Sequence, residues 1–293
     1  MRILVTGEKS YVGINLKKWL SQWHHIYEID FISLKDEKWK SLDFSVYDVL
    51  FHVAALVHKK EQQEMESLYY KVNRDLTVEL ANKAKKEGIK QFIFMSSISV
   101  YGLDGDLNKN VIIDNNTPCV PSSFYGKSKL EAEIQINKLH DENFKIAIVR
   151  APMIYGAHCP GNYSRLRKIA LKTPLFPSIV NQRSMIFIDN LSEFIRLLIE
   201  GKSEGVFFPQ NKEYINTAEL VQLIANQNSR KIISLKSLAY GVKLIGKEMR
   251  IVNKVFGSLV IDSSLSEHFE FDYCIADLPK SIEICEKNYK NRC

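Results

Sequence analysis

Residues 2–6 form a short apolar run closing on Thr6-Gly7, and Val12, Leu16, Trp19, Leu20 and Trp23 follow at helical spacing. A buried strand, a tight turn and an amphipathic helix at once is a combination few folds start with. Between them lies Gly7-Glu8-Lys9-Ser10-Tyr11-Val12-Gly13. This is the frame of the glycine-rich turn in which backbone N–H groups and a helix N-terminus hold a pyrophosphate. Ser10 stands where the middle glycine would be. Serine is small and caps helices well, so close phosphate approach is retained. The expectation is α/β: a Rossmann-type, doubly wound parallel sheet with a dinucleotide at its carboxyl edge.

The next strand falls within 25–34. An acidic residue at its end binds the ribose 2′-hydroxyl of a dinucleotide, and a basic one suits a 2′-phosphate. Asp30 lies inside the strand, whereas Ser33, Lys35 and Asp36 lie at its tip. The reading leans to NADPH over NADH on Lys35, the alternative being a solvated loop lysine. Residues 48–55 form a third strand ending in small residues, Ala54 and Ala55, against which a cofactor can lie. A helix over 61–87, stopped by Gly88, and a strand over 91–95 follow. That strand runs into Ser96-Ser97-Ile98-Ser99, hydroxyls at the ligand edge of a parallel sheet.

A helix over roughly 122–139 places Tyr125 and Lys129 four residues apart on one face. A phenol ordinarily ionises near pH ~10, and a neighbouring ammonium lowers that value. The pair is expected to be a tuned proton donor and acceptor.

The chain has 293 residues, 45% hydrophobic and 25% charged, the proportions of a soluble globular protein. No apolar run approaches the ~18 residues of a membrane span, and Met1 leads straight into a strand with no secretion signal. Cys119, Cys159, Cys274, Cys285 and Cys293 are scattered without metal spacing, so reduced thiols in a cytoplasmic protein are expected. The formal charge of +6 suits an anionic small ligand, and no nucleic-acid module is visible.

Thr6-Gly7…Ser10…Gly13, Asp43-Phe44, His52-Val53-Ala54-Ala55, Asn73, Ser96-Ser97…Val100-Tyr101-Gly102, Tyr125…Lys129 and Arg150-Ala151-Pro152-Met153-Ile154-Tyr155-Gly156 occur in this order. The set resembles the extended short-chain dehydrogenases/reductases of the NAD-dependent epimerase/dehydratase type, over essentially the whole chain. Within that family the stretches 92–96, 148–163 and 181–185 are most similar to the 4-ketoreductases of capsule and O-antigen synthesis, which act on UDP-2-acetamido-2,6-dideoxy-4-ketohexoses. The resemblance makes Tyr125 the catalytic acid/base, Lys129 its partner and the anchor of the nicotinamide ribose, and Ser97 the hydroxyl on the reacting oxygen. It puts Asp43 and Phe44 beside the adenine, Ala54, Ala55 and Asn73 along the cofactor cleft, and Pro152 on the nicotinamide side. Arg183 matches the arginine that pairs with the nucleotide diphosphate, a surface salt-bridge arginine being the alternative, and Asn162 and Arg165 are placed near the UDP. Met153 stands where many sugar-nucleotide epimerases carry an Asn.

The implied reaction is NAD(P)H-dependent reduction of a UDP-linked 4-keto-6-deoxy amino sugar, giving UDP-FucNAc or UDP-QuiNAc. A UDP-hexose 4-epimerase and a non-catalytic nucleotide-binding scaffold are the alternatives, and a homodimer through helix pairing is a family-level expectation. The nucleotide domain is expected over 1–156, with part of 181–208 returning to it, and the substrate lobe mainly over 157–293. The basic, apolar stretch 238–261 reads as a helix covering the substrate pocket, with membrane-surface binding as the competing reading.

Overall fold

The computed structural model describes residues 1–57, 62–246, 250–267 and 272–291. Lys247, Cys293 and the side chains of Lys243, Ile245, Arg250 and Ile251 lie outside what is described. Strands are β1 (Arg2–Thr6), β2 (Glu28–Ile32), β3 (Val49–His52), β4 (Gln91–Ser97), β5 (Asn110–Ile113), β6 (Lys145–Ala151), β7 (Met153–Tyr155), β8 (Leu175–Pro177), β9 (Met185–Phe187), β10 (Gly205–Phe207), β11 (Ile233–Leu235) and β12 (Ser258–Ile261). Helices are α1 (Tyr11–Leu20), α2 (Glu66–Tyr70), α3 (Leu76–Lys86), α4 (Phe124–Asn137), α5 (Asn162–Lys172), α6 (Ile188–Glu200), α7 (Thr217–Gln227), α8 (Lys236–Gly246), α9 (Arg250–Phe256) and α10 (Leu278–Lys290).

The main sheet runs β10-β6-β4-β3-β1-β2 with every pairing parallel. Its strands alternate between two apolar layers. Ile3, Val5, Ile93, Met95, Ala147 and Val149 join the layer under α1 and α6. Leu4, Phe92, Phe94, Ile146 and Ile148 join the opposite layer, with Leu80 and Ala84 of α3 and Ala132 and Ile136 of α4. Burial of both faces is why these strands read as continuous apolar runs.

The β4–β6 ladder ends at Ser97 and Ala151. Pro152 follows and has no N–H to extend it. The chain then leaves the sheet, and β7 pairs with β9. It returns through α6, which packs on α1, and through β10 at the sheet edge.

The helix expected over 61–87 runs unbroken from Gln63 to Lys86 but changes type along its length. A single 3₁₀ turn leads into α2, a π-turn over Lys71–Asp75 follows, and α3 ends before Gly88, whose φ is +89°. Such π-turns recur at functional sites.

Candidate active site

A cleft of about 1960 Å³ opens at the carboxyl ends of β1, β3, β4 and β6. One wall begins at Gly7, whose φ of +84° suits glycine best, and continues through Ser10, Tyr11 and Val12. Ser10 caps α1, its Oγ accepting the Gly13 N–H at 3.3 Å. No acidic residue lies in the first turn of α1, so no side chain of the helix itself offsets the positive end of its dipole. Gly13 does not line the cleft; a Cβ there would meet Val5 and Phe31 at 3.0 and 3.1 Å. Its role is close helix–strand packing.

Ser33 and Lys35 line the cleft beyond the tip of β2, together with Asp36, Glu37 and Lys40, and Lys40 pairs with Glu37 at 3.0 Å and with Glu79 at 2.8 Å. Asp30 sits inside β2, bonded to Arg2 and Tyr47. The resemblance put Asp43 and Phe44 beside the adenine. Phe44 is fully buried in the core layer with Leu4 and Leu50, and the Asp43 carboxylate accepts the Ser45 N–H. Neither lines the cleft.

The Ala54-Ala55 wall is held by a directional chain. Thr6 Oγ1 accepts the N–H groups of Val53 and Ala54, both at 3.1 Å. Its own proton therefore goes to His52 Nδ1, 2.8 Å away. His52 Nε2 then donates to Thr77 Oγ1 at 2.8 Å, which donates to the Asn73 carbonyl at 2.8 Å. The fully buried imidazole is neutral, its pKa pushed well below the usual value by burial and then by Lys129. Asn73, expected along the cleft, is instead fully buried behind it. Its amide clamps the N–H and C=O of Leu56 at 2.7 and 3.2 Å and donates to Ser128 on α4 at 3.1 Å.

Ser97, Tyr125 and Lys129 meet at the cleft floor. Ser97 ends β4; its Oγ accepts the Ser99 N–H and donates to the Ser99 hydroxyl, both at 3.1 Å, and it lines the cleft beside Tyr125. Ser96 turns the other way, donating to buried Glu133. Ser123 caps α4 through the Gly126 N–H at 3.0 Å, fixing the turn that carries Tyr125. The electrostatics correct the expectation of a phenol held down by Lys129. Burial dominates and pushes Tyr125 up to about 12, with the Ser97 bond as the opposing influence. Burial also lowers Lys129 to about 7, opposed by the attraction of Glu133. Lys129 Nζ donates to the Met95 carbonyl at 2.8 Å and lies 4.3 Å from the centre of the Phe94 ring. Glu133, one turn further along α4, is held by Arg150 at 2.7 Å.

Pro152, Met153, Asn162 and Arg183 line the other end of the cleft. Arg183 Nη1 donates to the Gly257 carbonyl at 2.8 Å, and burial lowers the guanidinium pKa against the attraction of Asp104. Arg165, which the resemblance placed near the UDP, is exposed on α5 and is not among the residues lining the cleft. Asp104, Lys254 and Leu259 also line this end, with Lys254 Nζ 3.8 Å from Asp104. The sequence reading missed their role, although Lys254 belongs to the basic stretch it singled out. Among the described residues of that stretch, Lys254 of α9 and Leu259 of β12 line the cleft. None of the described side chains of α8 is in the cleft lining, and Ala239 packs in a cluster with Leu107 and Ile179.

Residues 3–207 match the model of the NAD dependent epimerase/dehydratase family. The chain belongs to this family. It is similar to the UDP-glucose 4-epimerase of Vibrio cholerae, with 32% identity over 288 residues, 89% of this chain and 87% of that relative. It is also similar to the N-acetyl-alpha-D-glucosaminyl-diphospho-ditrans,octacis-undecaprenol 4-epimerase of Escherichia coli O157:H7, with 29% identity over 283 residues, 90% of this chain and 83% of that relative. Among solved structures, the UDP-glucuronic acid 4-epimerase of Bacillus cereus in complex with NAD superposes with a TM-score of 0.72 at 19% identity, covering 99% of this chain and 97% of that one. That similarity is one of fold. No described helix is long and apolar enough to cross a membrane.

Proposed function

We propose that this family member is an NAD-dependent 4-epimerase of a UDP-linked hexose or N-acetylhexosamine. The observation that carries the reading is the convergence of Ser97, Tyr125 and Lys129 in the lining of one cleft that also takes in the Gly7–Ser10 turn and Arg183. The 4-epimerase names of the two relatives support it.

The residues present fit a dinucleotide. A helix N-terminus with no acidic residue in its first turn, beside a positive-φ glycine, suits a pyrophosphate, and the small side chains of Ala54 and Ala55 leave room for a flat group against the backbone. Gly7, Ser10, Tyr11 and Val12 would hold the phosphates, Ser33 and Lys35 the adenosine ribose, and Lys129 the nicotinamide ribose. A bound nicotinamide supplies reversible hydride acceptance and return at the sugar C4.

The chain's own residues handle the proton and the orientation. In its phenolate form Tyr125 removes the C4 hydroxyl proton as C4 is oxidised, and it gives the proton back when the carbonyl is reduced on its other face. Ser97 donates a hydrogen bond to the same oxygen and stabilises its developing charge. Such timed proton transfer contributes roughly 10² to 10⁴ in rate. Arg183 pairs with the diphosphate and keeps the sugar in register while its ring turns over.

The 4-ketoreductase remains the second reading, favoured by Met153, which puts an apolar side chain in the cleft where many epimerases carry an Asn. One experiment separates the two. Purified protein is given NAD⁺ with UDP-glucose or UDP-GlcNAc, and separately NADH or NADPH with a UDP-4-keto-6-deoxy-HexNAc. Appearance of the C4 epimer without net change in reduced nicotinamide supports the epimerase. Stoichiometric loss of reduced nicotinamide with only the keto sugar overturns it in favour of the reductase, and inactivity in both arms overturns both.

A further inference from the structure

The surface formed by β8, β11 and α8 lies apart from the cleft lining and has an unusual composition. Leu175 of β8 and Ile233 of β11 are register partners, so they lie side by side, 40% and 59% exposed. The strand β11 runs without a break into α8, which packs back on β8. On α8, Tyr240 and Leu244 are one turn apart and 68% and 66% exposed, and Leu238 is also exposed. Val180, beside the Ile179 that packs with Ala239 of α8, is 89% exposed. Isolated exposed apolar residues are ordinary; here Leu175 and Ile233 are paired across two strands and Tyr240 and Leu244 share one side of the helix that follows, while Leu238 turns to the other side of it.

The charge of the same surface is one-sided. Lys172, Arg230, Lys231 and Lys236 flank the apolar residues and are exposed. Among the described residues none of these four has an ion-pair partner. Between Glu219 and Glu248 the sequence holds no acidic residue, but it holds Arg230, Lys231, Lys236, Lys243 and Lys247. An aromatic and aliphatic face ringed by unpaired cations is complementary to an anionic bilayer, where apolar side chains enter the headgroup boundary and lysines meet phosphates. Another folded protein would be expected to answer the apolar face with apolar groups but not to need so uniform a ring of cations.

We propose that the β8–β11–α8 face docks the protein on an anionic membrane surface. The contact is peripheral and reversible. It sets the cleft near the bilayer, because the Leu107–Ile179–Ala239 cluster beneath α8 is shared by Val252 and Phe256 of α9, the helix that carries the cleft residue Lys254. This does not depend on which sugar the cleft turns over.

The test is sedimentation of the full chain with vesicles. Vesicles of phosphatidylcholine alone are compared with vesicles containing phosphatidylglycerol, at low and at raised salt. Binding is expected only to the anionic vesicles and is expected to weaken with salt. Lys231→Gln and Lys236→Gln are each expected to reduce partitioning about fivefold. Tyr240→Ser with Leu244→Ser is expected to reduce it by at least as much. Each variant is checked for an unchanged thermal midpoint, and the paired charge and apolar variants guard against either one failing to fold. Equal binding to neutral vesicles, no binding to anionic ones, or binding untouched by both sets of substitutions overturns the proposal. So does a wild-type dimer that dissociates on Tyr240→Ser with Leu244→Ser, since a second copy would then cover the face.

Discussion

Tyr125 stands between burial, which raises its pKa to about 12, and the Ser97 hydrogen bond, which lowers it. Its hydroxyl is therefore a proton donor at neutral pH until something stabilises the phenolate. Tyr125→Phe is expected to retain cofactor binding and to lose about 10² to 10⁴ in kcat, measured by epimer formation and by cofactor titration; retention of more than a tenth of the activity contradicts that share of acid–base catalysis. Lys129 gives a second, independent readout. Its pKa falls from 10.5 to about 7 through burial. Between those values the unfolded chain binds a proton that the folded chain does not, so stability rises with pH across that window. Above about pH 10 the raised phenol of Tyr125 acts in the opposite sense, so the window to examine is about 7 to 10. Over it the wild type is expected to gain stability relative to Lys129→Met, at no more than about 1.4 kcal/mol per pH unit. Urea midpoints of the two proteins at several pH values check this; a difference that stays flat means the amine is charged when buried.

Elements were legible where their residues alone carry the pattern. The strands β1, β3, β4 and β6 are runs such as Phe92-Ile93-Phe94-Met95, apolar because both faces are covered, and Ser97 at the end of β4 precedes Tyr125 and Lys129 on α4 in a recognisable order. Three-residue strands such as β7 and β9 carry no period to read. The π-turn over Lys71–Asp75 depends on bonds that Asn73 makes to Leu56 and Ser128, seventeen and fifty-five residues away in sequence. No local propensity reports such bonds, which is also why Asn73 read as a cleft residue when it braces the wall from behind. Lys254 and Asp104 escaped for the same reason, since the chain brings them together from far apart. Asn73→Ala would leave a buried N–H and C=O of Leu56 without these partners. A loss of about 1–3 kcal/mol in unfolding free energy is expected, together with weaker cofactor binding because the wall from Val53 to Leu56 loosens. Asn73→Ala that loses stability with cofactor affinity unchanged would separate the brace from the site.

At the scale of the molecule, the two halves of the chain share their interior. One apolar cluster contains Ile3 and Val5 of β1, Phe194 of α6, Leu220 of α7 and Ile282 and Cys285 of α10. Trp19 of α1 donates to Glu193 of α6 at 2.8 Å across 174 residues. The far side is locked by Glu286 of α10, 1% exposed, which accepts from Arg167 of α5 at 2.8 Å and from Asn228 at the end of α7 at 2.8 Å. Glu286→Gln leaves the Arg167 cation mostly buried without its counter-charge, and breaking such a pair costs about 3–5 kcal/mol. If the lobe were a domain of its own, that loss would appear as an early transition with β1–β6 intact. With a shared core, the whole chain is expected to unfold in one transition that moves to lower temperature in Glu286→Gln, with calorimetric and van't Hoff enthalpies agreeing. The same argument covers a chain cut after residue 207, the end of the stretch that matches the family model. Without α7 and α10 the Ile3–Phe194 side of the sheet loses part of its cover, and this fragment is expected to bind hydrophobic dye and to show no cooperative melt. A sharp, dye-free transition in the fragment would mean that the sheet carries its own core and that the C-terminal helices only decorate it.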